Sequence, residues 1–356
     1  MTKLRIIFLW ICVAQTAQAQ VLGGRYVYDF LEMSPSARIS ALGGINVSIS
    51  DHDLSVALAN PSAWNPAMHR HASFGTAVYP GRTNFGNLVY AHKFRIPGTF
   101  GFGFQYMAYG RFQETDAVGN VTGQFSATDM NLYAGYGYQF GRIFSAGLNT
   151  KLIYSQLGPW SSFGAATDIA VMINDTARNI TASLVARNAG AQIKPYTPGN
   201  RYDPPFDLQA GISFGFKGVP FRIHTTFHHL HVWDIRYNNP ADEENNLFID
   251  TAELKKRKYI ADKLFRHIII GIEFNIKKVV RLNMAYNHYR QQELRLTTRR
   301  GAPGLSFGLG VHIRQFDFTY GMMPLAQGQT LQHFTLSVNT AGFVRRVKTE
   351  KSNTTR

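Results

Sequence analysis

A chain of 356 residues with 13% aromatic and only 17% charged residues is not disordered, and its 32 glycines and 14 prolines show no collagen-like period. The formal charge of +15 suits nucleic acid and an anionic lipid surface equally, so charge alone decides no partner. A single cysteine, Cys12, excludes a disulfide within the chain.

The first residues set the expected compartment. Lys3 and Arg5 form a positive n-region, Ile6 to Ala14 an apolar core, and Ala17-Gln18-Ala19 a small-residue cleavage site. Residues 1–19 are therefore expected to be a signal peptide, with the mature chain starting at Gln20. Removing two basic residues leaves 15 − 2 = +13. Cys12 falls inside this segment, and the bulky Leu9-Trp10-Ile11 before it argues against a lipid-modified cysteine. No later run reaches the roughly 20 apolar residues of a membrane helix, so insertion would have to be as a barrel.

Residues 20–72 read as an N-terminal plug segment with short helices. Pro35-Ser36-Ala37-Arg38 opens a helical pattern that stops at Gly43-Gly44. Asp53 opens a second, with Leu54, Ala57 and Leu58 in helical period, which ends at Asn60-Pro61. The plug residues singled out are Arg38, Gly43, Gly44, Asn60 and Pro61. These pieces are too short to fold alone and are expected to pack inside something larger.

From residue 73 to 340 the period changes to two. Phe100, Phe102, Phe104 and Tyr106 share one face of a strand, with Gly101, Gly103 and Gln105 on the other. Large rings opposite glycine and polar residues describe a lipid-facing wall around a polar interior. Similar segments recur near 74–79, 87–94, 126–139, 143–155, 163–173, 180–188, 206–216, 220–229, 266–276, 280–290, 304–313, 315–323 and 331–338. The fold class is thus all-β: a transmembrane antiparallel up-and-down barrel of about 14 strands. The linkers 80–86, 111–125, 156–162, 189–205, 230–265, 291–303 and 324–330 alternate with tight turns such as Lys217-Gly218-Val219, which is the loop parity of such a barrel. Asp168, Glu273, Arg281 and Asp317 fall on the lumen parity, with Tyr133, Val185 and Tyr289 as apolar or aromatic exceptions. Residues 341–356 read as a basic periplasmic tail.

The stretch Gly23-Gly24-Arg25-Tyr26, Phe30-Leu31, Pro35 to Gly44, Asp51-His52-Asp53 and Asn60-Pro61 resembles the PorV/PorQ family of the type IX secretion system of Bacteroidetes, and its PorQ-like members above all. The barrels of that family are similar to the FadL family of hydrophobic-compound transporters. The matching motifs cover about fifty residues, and Ser62 stands where the family carries alanine after Asn-Pro. The resemblance implies a Gram-negative outer membrane and a plugged barrel without enzymatic activity. It also implies a surface attachment complex, in which the barrel anchors a PorZ-like protein beside PorU and PorV while cargo is joined to lipopolysaccharide. The implied partners are those proteins, outer-membrane lipid and lipopolysaccharide, with no nucleic acid and no cofactor.

Three motifs suggest other chemistry. Gly304-Leu305-Ser306-Phe307-Gly308 fits a nucleophile elbow, but the alternation runs straight on to Ile313 where a catalytic Ser306 needs a turn and a helix. His224, His228, His229 and His231 cluster, yet strand geometry splits them between two faces and four ligands cannot converge without a bend. They read as rim histidines beside Trp233 and Tyr237 at headgroup level. The Gly-x-Gly pairs at Gly101 and Gly308 lack the helix of a phosphate site and read as room for the plug. The longest connection, 230–265, is the docking candidate. Its partner-binding residues are Phe248, Leu254, Lys255, Lys256, Arg257, Tyr259 and Leu264, an apolar stripe beside a basic run. A FadL-like transporter is the alternative, and it requires an apolar pocket reaching a lateral opening near Pro159 or Gly164.

Overall fold

The computed structural model describes residues 26–216, 218–236, 260–277, 279–294, 301–325 and 329–343. The signal segment with Cys12, the end of the tail, Tyr237, and the loop positions Phe248, Leu254, Lys255, Lys256, Arg257 and Tyr259 lie outside them.

Fourteen antiparallel strands close into one barrel. They are β1 (His71–Val78), β2 (Asn84–His92), β3 (Thr99–Thr115), β4 (Val121–Phe140), β5 (Phe144–Leu157), β6 (Trp160–Asp175), β7 (Ile180–Lys194), β8 (Asp207–Gly215), β9 (Phe221–Phe227), β10 (Ile268–Ile276), β11 (Val280–Asn287), β12 (Leu305–Ile313), β13 (Phe316–Pro324) and β14 (Thr330–Asn339). Each pairs with its sequence neighbours, and β1 closes on β14 from His71↔Asn339 to Val78↔Gln332. No edge strand is left, which satisfies the backbone without water. Among the described residues no helix is long and apolar enough to cross a membrane.

The outward parity is as the alternation demands. Leu88, Phe102, Leu132, Ile169, Leu184, Ile270 and Phe318 are all exposed, while their neighbours in sequence turn inward. Aromatic contacts gather beside the short turns: Phe94 with Phe100, Tyr138 with Phe140, Phe216 with Phe221, and Phe316 with Phe343. Such a girdle marks a membrane interface. In outer-membrane barrels the short-turn end faces the periplasm, and the other is called the outer end below.

The barrel is taller on one side than the expected loops allow. β3 and β4 run 17 and 20 residues, and β5 and β6 meet at a two-residue turn, Gly158-Pro159. A strand needs only about 9–11 residues to cross a membrane, so β3 to β7 stand above the rest as a raised wall. The linkers expected at 111–125 and 156–162 are therefore mostly strand. Their alternation fades because the raised ends are wet on both faces and no longer need an apolar side. β11 also stops earlier than expected: Asn287 accepts a hydrogen bond from Arg290 N (3.1 Å) and caps a helix His288–Glu293, so Tyr289 lies in that helix and not in the wall.

The lumen is filled by the chain's own N-terminal segment. Short helices at Ala37–Ala41 and Leu54–Ala59 are capped by Ser36 and Asp53. Asn60 ends the second and caps the 3-10 turn Pro61–Ala63, accepting from Ser62 N at 3.0 Å and donating Nδ2 to Val47 O at 2.6 Å. Toward the short-turn end Ile39, Leu42, Leu54, Val56, Trp64 and Met68 form an apolar core with Val89, Tyr133 and Met172 of the wall. Toward the outer end Phe30 and Leu31 pack with Phe85, Met107, Ile153 and Leu331. Tyr133 and Val185 face inward because apolar plug residues meet them there.

Candidate functional site

Arg38 is the charged centre of the lumen. The helix Ala37–Ala41 turns its side chain inward, where it is 3% exposed. Its Nε and Nη2 donate to the two carboxylate oxygens of Glu273 on β10, both at 2.9 Å, and Nη1 donates to Asp51 (2.7 Å) and Asp53 (3.2 Å). Burial alone would push the guanidinium down, but Asp51, Glu273 and Asp53 hold it well above its ordinary range. Burial likewise raises Asp51, and the nearby Arg38 and Arg281 outweigh it, keeping the carboxyl well below the usual range. One cation thus ties the plug to itself and to the wall.

Polar contacts repeat this attachment around the barrel. Plug residues hydrogen-bond to β2 through Asn87 and Pro35, to β5 through Asn149 and Trp64, to β6 through Ser162 and Tyr28, and to β7 through Ser183 and Val47. They also reach β8 (Ser213 to Ser48), β10 (Glu273), β11 (Asn287 to Gly43) and β14 (Thr335 from Ala37). Among the described residues these are eight of the fourteen strands. Wall glycines make the close approach possible. A Cβ on Gly101 would lie 2.1 Å from the Trp64 ring, and one on Gly308 2.4 Å from Ala41 Cβ. Both Gly-x-Gly sites leave room for the plug, as their sequence context implies. Asp168, Glu273, Arg281 and Asp317 all face the lumen: Lys151 reaches Asp168 at 2.7 Å, and Arg281 donates to Asp317 at 3.3 Å.

At the outer end the plug lies against the wall and beneath a cavity. Gly164 sits at a register shift between β6 and β7, the kind of kink a lateral opening needs. The Tyr28 ring fills that place: a Cβ on Gly164 would lie 2.5 Å from Tyr28 Cε2, and the Tyr28 hydroxyl is 2.6 Å from Ser162 Oγ. Pro159 is at the hairpin tip, away from any kink in the strand. A cavity of about 270 Å3 remains beneath the mouth, lined by Glu32, Met33, Gly43, Tyr79, Met323 and Leu325 among others. Burial pushes the Tyr79 phenol up to about 12.

The feet of the long connection are fastened by charge. Asp234 accepts from Arg236 Nε (2.9 Å) and pairs with Lys263 (2.6 Å), and Arg266 joins Asp262 (2.8 Å) to Glu293 (2.5 Å). The Asp234 carboxyl is held well below its usual range, first by its hydrogen bonds from Arg236. A helical stretch at 260–266 exposes Ile260, Leu264 and Phe265, and Trp233 is 60% exposed beside them. Of the expected stripe only Leu264 lies among the described residues, and it is exposed.

Ser306 is fully buried on β12, and the strand continues to Ile313 without the turn and helix of a nucleophile elbow. The histidine cluster differs from expectation. β9 ends at Phe227 and His229 has φ of 55°, a bend that turns His228 and His229 together, with ring nitrogens 2.6 Å apart. His228 is 1% exposed, so it is no rim residue, and His224 stays buried on β9. Asp207, at the start of β8, joins the pair by accepting from His229 N at 2.6 Å. Its only sequence signal is an isolated acid at a strand start, too weak to read. Tyr28 and the raised wall were equally silent, because a fit to a distant residue leaves no periodicity.

No family model matches the chain, and no curated protein sequence matches it. Solved structures do. The toluene transporter TodX of Pseudomonas putida superposes with a TM-score of 0.52 at 11% identity, covering 86% of this chain and 96% of its own. A TodX deltaS2S3 mutant, titled a monoaromatic hydrocarbon channel, gives 0.50 at 11% identity over 85% and 97%. A Pseudomonas aeruginosa FadL homologue gives 0.47 at 12% identity over 86% and 98%. The chain shares the barrel fold of TodX.

Proposed function

We propose that this chain is a plugged outer-membrane anchor that holds a surface protein, of the PorZ-like kind implied by the PorV/PorQ resemblance, for the type IX secretion machinery. The observation that carries this reading is Tyr28 in the wall at Gly164. A hydrophobic compound leaving the lumen sideways needs that place open, and here a plug residue is hydrogen-bonded into it. The plug's attachment to eight strands supports a closed lumen with a structural role. The docking surface is the outer end: the raised wall β3 to β7 on one side, and the apolar patch of Trp233, Ile260, Leu264 and Phe265 on the other. PorU- and PorV-like proteins complete the assembly, and lipopolysaccharide phosphates meet the basic run Lys255 to Lys258. Isolation from native membranes in mild detergent tests the reading. A PorZ-like protein should co-purify in fixed ratio, and a chain that always runs alone would remove the proposal.

A second reading, uptake of hydrophobic compounds in the FadL manner, is favoured by the fold of the solved neighbours and by the cavity beneath the mouth. It predicts a co-purified hydrophobic molecule in that cavity and slower growth on a hydrophobic substrate when the chain is deleted.

A further inference from the structure

We infer that Asp207, His228 and His229 form a binding site for a divalent transition ion of the zinc type at the outer end of the lumen. Ligand atoms of these three residues all lie within 4.8 Å of one another. The three come from the start of β8 and from the bend after β9, so the site is assembled by the fold and not by one segment. His228 Nδ1 and His229 Nδ1 are 2.6 Å apart, a hydrogen-bond distance with room for one proton between two nitrogens that face each other. An ion would take that proton's position. Tetrahedral zinc at roughly 2.0–2.1 Å from each nitrogen holds them about 3.3 Å apart, so the rings open by only a fraction of an ångström.

A second observation comes from Gln209, which is not one of the three ligands. Gln209 Oε1 is buried and has no hydrogen-bond partner among the described residues, a costly arrangement for a polar atom. Gln209 Nε2 donates to Asp207 at 2.6 Å, orienting the carboxylate as the outer partner of a metal ligand commonly does. Asp207, Gln209, His228 and His229 all line the cavity of about 270 Å3, which leaves a fourth coordination position open toward that space. Arg187 and Arg290 line the same cavity and repel any cation, so only short, strong bonds to the ligands can hold one there. The ion has to be one that forms short bonds to imidazole. Its structural effect is to clamp β8 to the bend after β9.

The test uses the full chain extracted in mild detergent, carrying no polyhistidine tag, stripped with chelator and titrated with ZnCl2. Bound metal is read by mass spectrometry and the ligand geometry by the visible spectrum of the Co2+ form. Wild type should bind one ion per chain and give a tetrahedral Co2+ spectrum, with affinity at least about 100-fold weaker in Asp207→Asn and His229→Gln. His312→Ala, in the other histidine cluster with His52 and Asp317, should leave binding unchanged. No ion above the empty-micelle level, wild-type binding in both site variants, or loss of binding in His312→Ala each overturns the site. Folding is checked by heat-modifiable gel mobility. Should Asp207→Asn not fold, His229→Gln, outside the strands, decides alone.

Discussion

Arg38 and Glu273 meet through two parallel hydrogen bonds of 2.9 Å, 235 residues apart in sequence, at the centre of a lumen with both side chains 4% exposed. A pair this dry and this well aligned is costly to form and more costly to break. Arg38→Ala leaves Glu273, Asp51 and Asp53 facing one another without a cation. It should destabilise the detergent-solubilised barrel by about 3–5 kcal/mol, read from the denaturant midpoint. Replacing Arg38 by Met and Glu273 by Leu together should recover part of that loss.

Trp64 tests the seating of the plug. Its ring lies over Gly101 and Gly135, its Cβ faces Gly137, and its Nε1 donates to Asn149 Oδ1 at 2.9 Å. Trp64→Ala should cost about 3–5 kcal/mol by leaving a cavity. Gly101→Leu should do similar damage from the other side, since no side chain fits beneath the ring. Protease access to the plug from the short-turn end measures both, and equal protection in wild type and Gly101→Leu would contradict the packing.

Glu32 makes stability depend on pH. Burial, then the fields of Asp29 and Asp207, push its carboxyl up to about 7 from 4.5, with Arg187 opposing. The folded chain therefore holds a proton on Glu32 that the unfolded chain releases, so the contribution of this residue to stability is greatest below about pH 4.5 and falls as pH rises through about 7. The side chain is open to water in the cavity, so the effect should be about 1 kcal/mol or less. Glu32→Gln should flatten this fall in a pH series of melting curves, and an unchanged slope would contradict the assignment.

Tyr28 separates wall closure from anchoring. Tyr28→Ala opens the place beside Gly164 and should raise bilayer conductance or dye passage while surface retention of the partner stays near wild type. The reverse holds for the apolar patch. Leu264→Glu with Phe265→Glu should weaken retention by at least about tenfold, as loss of exposed anchors in an interface does, with conductance unchanged.

Much of this fold could be read from residue alternation, because lipid on one face and a filled lumen on the other impose opposite demands on neighbours such as Phe102 and Gly101. The inward charges Glu273 and Arg281 followed the same rule, since lipid does not tolerate them. The raised wall could not be read: once Phe112 and Phe125 stand above the membrane they stack on each other, with centroids 5.3 Å apart, and period two carries no message. The histidines misled for a related reason. Strand geometry was extended through His229, where a positive φ breaks it. Arg38 and Asn60 were picked out by motif, but their partners Glu273 and Val47 depend on how the segment threads the barrel, which no local pattern records.

The most direct measurement of the anchoring role is the share of PorZ-like protein on the surface of intact cells lacking this chain, with its amount in the medium as the complement. The anchor account predicts that this protein leaves the surface and appears in the medium, and that restoring the wild-type chain brings it back. Retention at the wild-type level in the deletion strain would contradict it.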